Sequence, residues 1–266
     1  MRPLMLELGQ LNHEVETLYT NQIVSRYILH ERKLSGDVTT VQAIVSVLAA
    51  AQKYMRDQLD DGSFVSHRDV ERAMQVMMWF YNRMDILGKL MTEVLTEQRR
   101  QEGYDFEEQE SINPVTRALV LAIGVCYHAK LQERRQNFRK VVAQSFKAPC
   151  QLPGGEKQIH CEITSCQRAV LNELELGPNI ARNTALSENV FMMVVCIELR
   201  IPLFVVGKPG SSKSLAKTVV ADNMQGDAAR SELFKAFKQL IQGSTFCSTM
   251  ANKLTVVRQT TNRSHK

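Results

Sequence analysis

Apolar residues recur at helical spacing through most of the first 145 positions. After Asp37 to Thr40, the run Val41, Ile44, Val45, Leu48, Ala51 and Met55 marks one face of a helix that ends at Asp60-Asp61-Gly62. Ser66, with Asp69 three residues on, predicts a capped start for the next helix. That helix carries Val70, Met74, Met77, Met78, Tyr81, Met84 and Leu87 on its apolar stripe, read here as core. The charged stretch from Glu97 to Glu110 reads as a surface linker. Asn113 then supplies a cap and Pro114 a first helical position, where no amide hydrogen is missed. Leu119, Ile123, Tyr127 and Leu131 continue the buried face.

The pattern breaks at PCQLPGGEK, Pro149 to Lys157, where prolines and glycines oppose regular structure. Beyond it, Thr164 to Leu174 reads as helix and GPNI as a turn, and Ser187 is expected to cap a helix from Glu188 to Leu199. Pro202 closes that helix. LFVV, bounded by proline and glycine, has the look of a buried parallel strand. The fold class expected is mostly α, with a partial α/β unit at the C-terminal end.

Composition narrows the function classes. In 266 residues, 44% hydrophobic content is ample for a core. The net charge of +5, from 33 basic and 28 acidic residues, is too small and interspersed to argue for nucleic acid. No run approaches the roughly 18 apolar residues of a membrane helix, and Glu7 spoils the N-terminal stretch as a signal peptide. The expectation is a soluble, cytoplasmic chain with reduced thiols. Cys150, His160, Cys161 and Cys166 cluster, but without the paired spacing of a structural zinc site. Cys126 and Cys196 read as small core residues.

The candidate chemistry lies in FVVGKPGSSKSLAKTVV, Phe204 to Val220, where a strand, a loop and a helix follow one another. Backbone amides of such a loop cradle phosphate oxygens, helped by the positive end of the helix. Lys213 would reach the terminal phosphates of ATP and Ser214 would hold Mg2+. Gly207 and Gly210 allow tight turning. Ser212 stands where the general pattern G-x-x-x-x-G-K-[ST] has glycine.

SENVFMMVVCIELRIPLFVVGKPGSSKSLAKTVVADNMQG resembles the mysterin family of giant RING-finger E3 ubiquitin ligases, built around dynein-like tandem AAA+ modules. That family's loop also reads GKPGSSKS. The resemblance extends through SFVSHRDVERAMQVMMWFYNRMD, which is similar to the helical lid of a preceding module, where an arginine in the place of Arg68 faces that module's nucleotide. GPNIARNTAL is similar to the adenine-side segment before the loop. The resemblance therefore implies a nucleotide site formed by Gly207, Lys208, Pro209, Gly210, Ser211, Ser212, Lys213, Ser214 and Leu215, with Ile180 and Arg68 contributing.

The implied division is a lid-like helical region over 1–148, a linker over 149–163, the first part of a P-loop module over 164–243, and an unstructured tail unlike the family over 244–266. Only LTVV, at Leu254 to Val257, resembles the family's next strand, and Arg258 follows it where acidic residues are needed. The resemblance thus implies a piece cut across a module junction. Its partners would be ATP and the remaining AAA+ modules of a parent chain, and ubiquitin machinery only through that parent. No catalytic residue is expected in the chain alone, because the acidic strand and the RING cysteines are missing. A non-catalytic helical interaction module is the alternative.

Overall fold

A computed structural model describes residues 13–31, 36–58, 65–102, 112–237, 245–249 and 254–258. The chain divides into two compact units, one of residues 1–74 and 122–159 and the other of 75–121 and 160–266, so each is interleaved in sequence.

The first unit is helical. It holds α1 (His13–His30), α2 (Val38–Gln58), the start of α3 (His67–Tyr81), the end of α5 (Pro114–Cys126), α6 (Arg135–Ala143) and the start of α7 (Gly155–Asn172). The Asp37 carboxylate caps α2, accepting from the Thr40 amide at 2.6 Å. Ile44, Leu48, Ala51 and Met55 are buried as their spacing predicts. Asp69 accepts from the Ser66 amide at 2.9 Å, which is the reciprocal half of a capping box. Its second carboxylate oxygen holds Lys130 at 3.2 Å. Tyr127, fully buried, accepts a bond from Gln52 Nε2 at 3.0 Å. Burial pushes its phenol well above the usual range.

The second unit contains α4 (Met84–Glu102), most of α7, α8 (Thr184–Leu199), β1 (Phe204–Val205), α9 (Lys213–Asn223), α10 (Glu232–Lys235), β2 (Thr245–Thr249) and β3 (Leu254–Arg258). It also takes in the parts of α3 and α5 that carry Trp79, Phe80 and Arg117. Asn113 Oδ1 caps α5 by accepting from the Val115 amide at 2.9 Å, with Pro114 in the first position as expected. Apolar α8 is buried along most of its length, and α9 packs on it through Ala216, Val219 and Val220. The Phe80 and Phe191 rings stack with centroids 5.9 Å apart. Met74 and Met77 are fully buried, so the methionine stripe is core.

Several boundaries differ from the sequence reading. The long methionine helix is broken at Asn82-Arg83, and α4 begins at Met84. At the break, the Arg83 side chain is held by Trp79 and Glu198. Helix α4 also runs to Glu102, into the stretch read as linker. Nine of the fifteen residues of the linker expected over 149–163 are helix, since α7 starts at Gly155. There Gln158 Oε1 accepts from the Gly154 amide at 2.8 Å, and Ile159, Ile163, Cys166 and Val170 make a buried face. The cap of α8 is Asn183, which accepts from the Leu186 amide at 2.8 Å, and not Ser187, which lies buried inside the helix. At its other end Arg200 adopts φ 56, and the Ile201 amide returns to the Cys196 oxygen at 2.8 Å.

LFVV is not a buried parallel strand. Among the described residues β1 spans two positions and pairs antiparallel with β3, as Phe204 with Val256 and Val205 with Thr255. The sheet order is β1-β3-β2, with β2 and β3 also antiparallel. Ten residues of the segment read as an unstructured tail are thus strand, and its remaining residues lie outside those described. An apolar run is covered only where other layers meet it, and Phe204 is 58% and Val206 67% exposed. No described helix is long and apolar enough to cross a membrane.

Candidate nucleotide site

The loop between β1 and α9 is closed on itself by its lysine. Lys213 is only 5% exposed, and its Nζ donates to the Gly207 oxygen at 2.7 Å, the Lys208 oxygen at 2.7 Å and Ser211 Oγ at 2.6 Å. Ser211 Oγ in turn donates to the Lys208 oxygen at 2.8 Å. An ammonium has three donors, so all are engaged within the loop. A desolvated cation is tolerable there because each hydrogen meets an oxygen.

Two residues turn the chain through the left-handed region, Gly210 at φ 82 and Ser212 at φ 56. The first suits a residue without Cβ. At the second, the general pattern's glycine is replaced by serine while the glycine-like backbone is retained. A Cβ built on Gly207 would lie 3.1 Å from Ser211 Oγ and 3.5 Å from Lys213 Nζ, so that glycine keeps the lysine's seat open. Ser212 opens α9, and its oxygen accepts from the Ala216 amide at 2.8 Å. The amides of Lys213, Ser214 and Leu215 come too early in the helix to have intrahelical acceptors. This donor set fits a phosphate, with amides at a helix N-terminus beside a lysine.

Gly207, Lys208, Pro209, Gly210 and Ser214 are exposed, while Ser211, Ser212 and Leu215 are half-buried. Ile180 is half-buried, and its amide closes the GPNI turn on the Gly177 oxygen at 3.0 Å. The adenine-side segment is tied back to α7, where Arg182 donates to Asn172 Oδ1 at 2.7 Å. Arg68 is exposed in the first turn of α3 and belongs to the first unit, while the loop belongs to the second.

Asp222 lies on α9, Asp227 on the short 3-10 turn after it, and Glu232 begins α10 and pairs with Lys235. Strand β3 ends in Arg258. Sequence reasoning missed one polar contact. Asn189, on α8, donates from Nδ2 to the Ser211 main-chain oxygen at 2.8 Å. Nothing in the periodicity of α8 marks that residue.

Residues 179–266, which include the loop, match the family model of the RNF213 AAA domain. Nearly the whole chain is similar to E3 ubiquitin-protein ligases. It is 45% identical over 248 residues to rnf213-beta of Danio rerio, covering 93% of this chain and 4% of that protein. It is 46% identical over 246 residues to RNF213 of Mus musculus, and 45% identical over 246 residues to RNF213 of Homo sapiens, each time covering 92% of this chain and 4% of the relative. The chain belongs to the RNF213, or mysterin, family and spans about 4% of the length of these relatives. The family match also takes in the residues after 243 that the sequence reading set apart as unlike the family.

Proposed function

We propose that the chain binds ATP or ADP with Mg2+ through Gly207 to Leu215, as the nucleotide-binding part of a larger RNF213-type protein. The carrying observation is the buried Lys213 ammonium, set among loop oxygens at the N-terminus of α9. Lys213 would exchange loop oxygens for those of the terminal phosphates, and the first amides of α9 would take the remainder. Ser214 Oγ, exposed beside it, would hold the cation, which neutralises phosphate charge when bound. Ile180 would face the base. Arg68 would serve a preceding module, whose lid residues 1–148 would form. Ubiquitin transfer and ATP turnover would belong to the parent protein in the cytoplasm, since Asp222, Asp227 and Glu232 lie on or after α9 and not at a strand end.

Calorimetry with Mg-ADP tests this reading. Wild type should bind weakly and Lys213→Ala should not, while phosphate release from ATP should be equally slow in both. Equal affinity in the two proteins would overturn it.

One observation favours the alternative of a helical interaction module. An open groove of about 1080 Å³ lies between α1 and α2, lined by Leu18, Ile28, Leu29, Val38, Val41 and Val45 among others. Exposed apolar grooves of this kind take partner helices.

A further inference from the structure

The loop is held from outside as well as by its own lysine, and both holds meet at Ser211. Its hydroxyl accepts from Lys213 Nζ and donates to the Lys208 oxygen, and its main-chain oxygen accepts from Asn189. Asn189 sits on α8, a helix buried along most of its length, next to Val190 and Phe191, and that helix is capped by Asn183. The amide is therefore presented by a rigid element, not by another loop.

We propose that Asn189 is a positioning residue, which holds the Gly210 to Lys213 turn in the conformation that aims its amides and lysine at phosphate. A serine at φ 56 sits in the left-handed region, where its Cβ is crowded, and such a residue persists only where its surroundings over-determine it. The Asn189 bond falls on the residue immediately before Ser212, where it opposes relaxation of that turn. Its energy is of the same order as the strain. The consequence for affinity rests on the nucleotide-binding reading, while the effect on the turn does not.

The test replaces Asn189 by Leu, close in size but without a donor, and by Ala, which favours helix. Hydrogen exchange at the Ser211 amide, bonded to the Lys208 oxygen at 3.4 Å, and at the Ala216 amide, bonded to the Ser212 oxygen at 2.8 Å, should accelerate by about tenfold in both, the value of one hydrogen bond. The amides of Val190 to Glu198 should keep their protection. Mg-ADP affinity should fall by a similar factor. Unchanged exchange at the turn would overturn the proposal, and so would an equal acceleration along α8, which would make Asn189 a helix-stability residue only. If wild type binds no nucleotide, the exchange result still decides the positioning role, and only the functional reading falls.

Discussion

The Arg83 guanidinium reaches Glu198 Oε2 at 3.1 Å across 115 positions of sequence. The same oxygen accepts from Trp79 Nε1 at 3.3 Å, and Arg83 lies 4.5 Å from the Trp79 ring centroid. Glu198 is 1% exposed. Burial lowers the Arg83 pKa and Glu198 pushes it back up, so the pair is a desolvated cation and anion that neutralise each other.

Arg83→Ala should therefore destabilise the chain by about 3 kcal/mol, because it removes the cation from a buried carboxylate. Urea unfolding measures the loss. The double variant Arg83→Met, Glu198→Leu should recover a good part of it, because no charge is then left inside. A double variant no more stable than Arg83→Ala would show that aromatic stacking, not charge, carries the contact.

A second buried pair responds to pH. Arg117 Nε donates to Glu162 Oε2 at 2.8 Å, yet burial outweighs that attraction and raises the Glu162 pKa above its ordinary value. Between the ordinary and the raised value, the folded chain keeps a proton that the unfolded chain has released. Stability from this group is complete below the ordinary carboxylate pKa and declines as pH rises through the raised one. Glu162→Gln should flatten that decline in urea titrations carried upward from about pH 4, the ordinary carboxylate value. An identical slope in wild type and variant would assign the decline to other groups.

Ser212 offers a stabilising change. Glycine at its φ of 56 has no Cβ to crowd the preceding peptide, so Ser212→Gly should gain about 1 kcal/mol where the backbone is kept. Ser212→Val, branched at Cβ, should lose at least as much. Thermal unfolding of the three proteins checks the order, and a valine variant as stable as wild type would mean that the turn relaxes freely.

What the sequence makes legible here is local. Asp37, Ser66 with Asp69, and Asn113 with Pro114 mark helix starts because caps bond amides only two or three residues away. The loop itself is recognisable because its lysine and glycines act within a few positions. The Arg83 contact is not legible, since nothing near it announces a partner at Glu198. Ser187 reads as the cap, and only the Leu186 amide, which donates to Asn183, shows that the helix starts earlier. LFVV shows an apolar run but not its partner, and strand direction is fixed by β3 some fifty residues later. Asn189 escaped notice for the same reason, because its acceptor lies 22 residues on.

Phe204 lies on β1 and Val206 stands just past its end. Both are more than half open to water, beside a β1 that pairs with β3 along one edge. This small sticky strip adds to the exposed apolar surface at Leu18, Leu29 and Val38, beside a surplus of five positive charges. Molecules kept apart by long-range repulsion at low salt would meet there once the charge is screened. Ionic strength would then be the variable to watch in handling this chain.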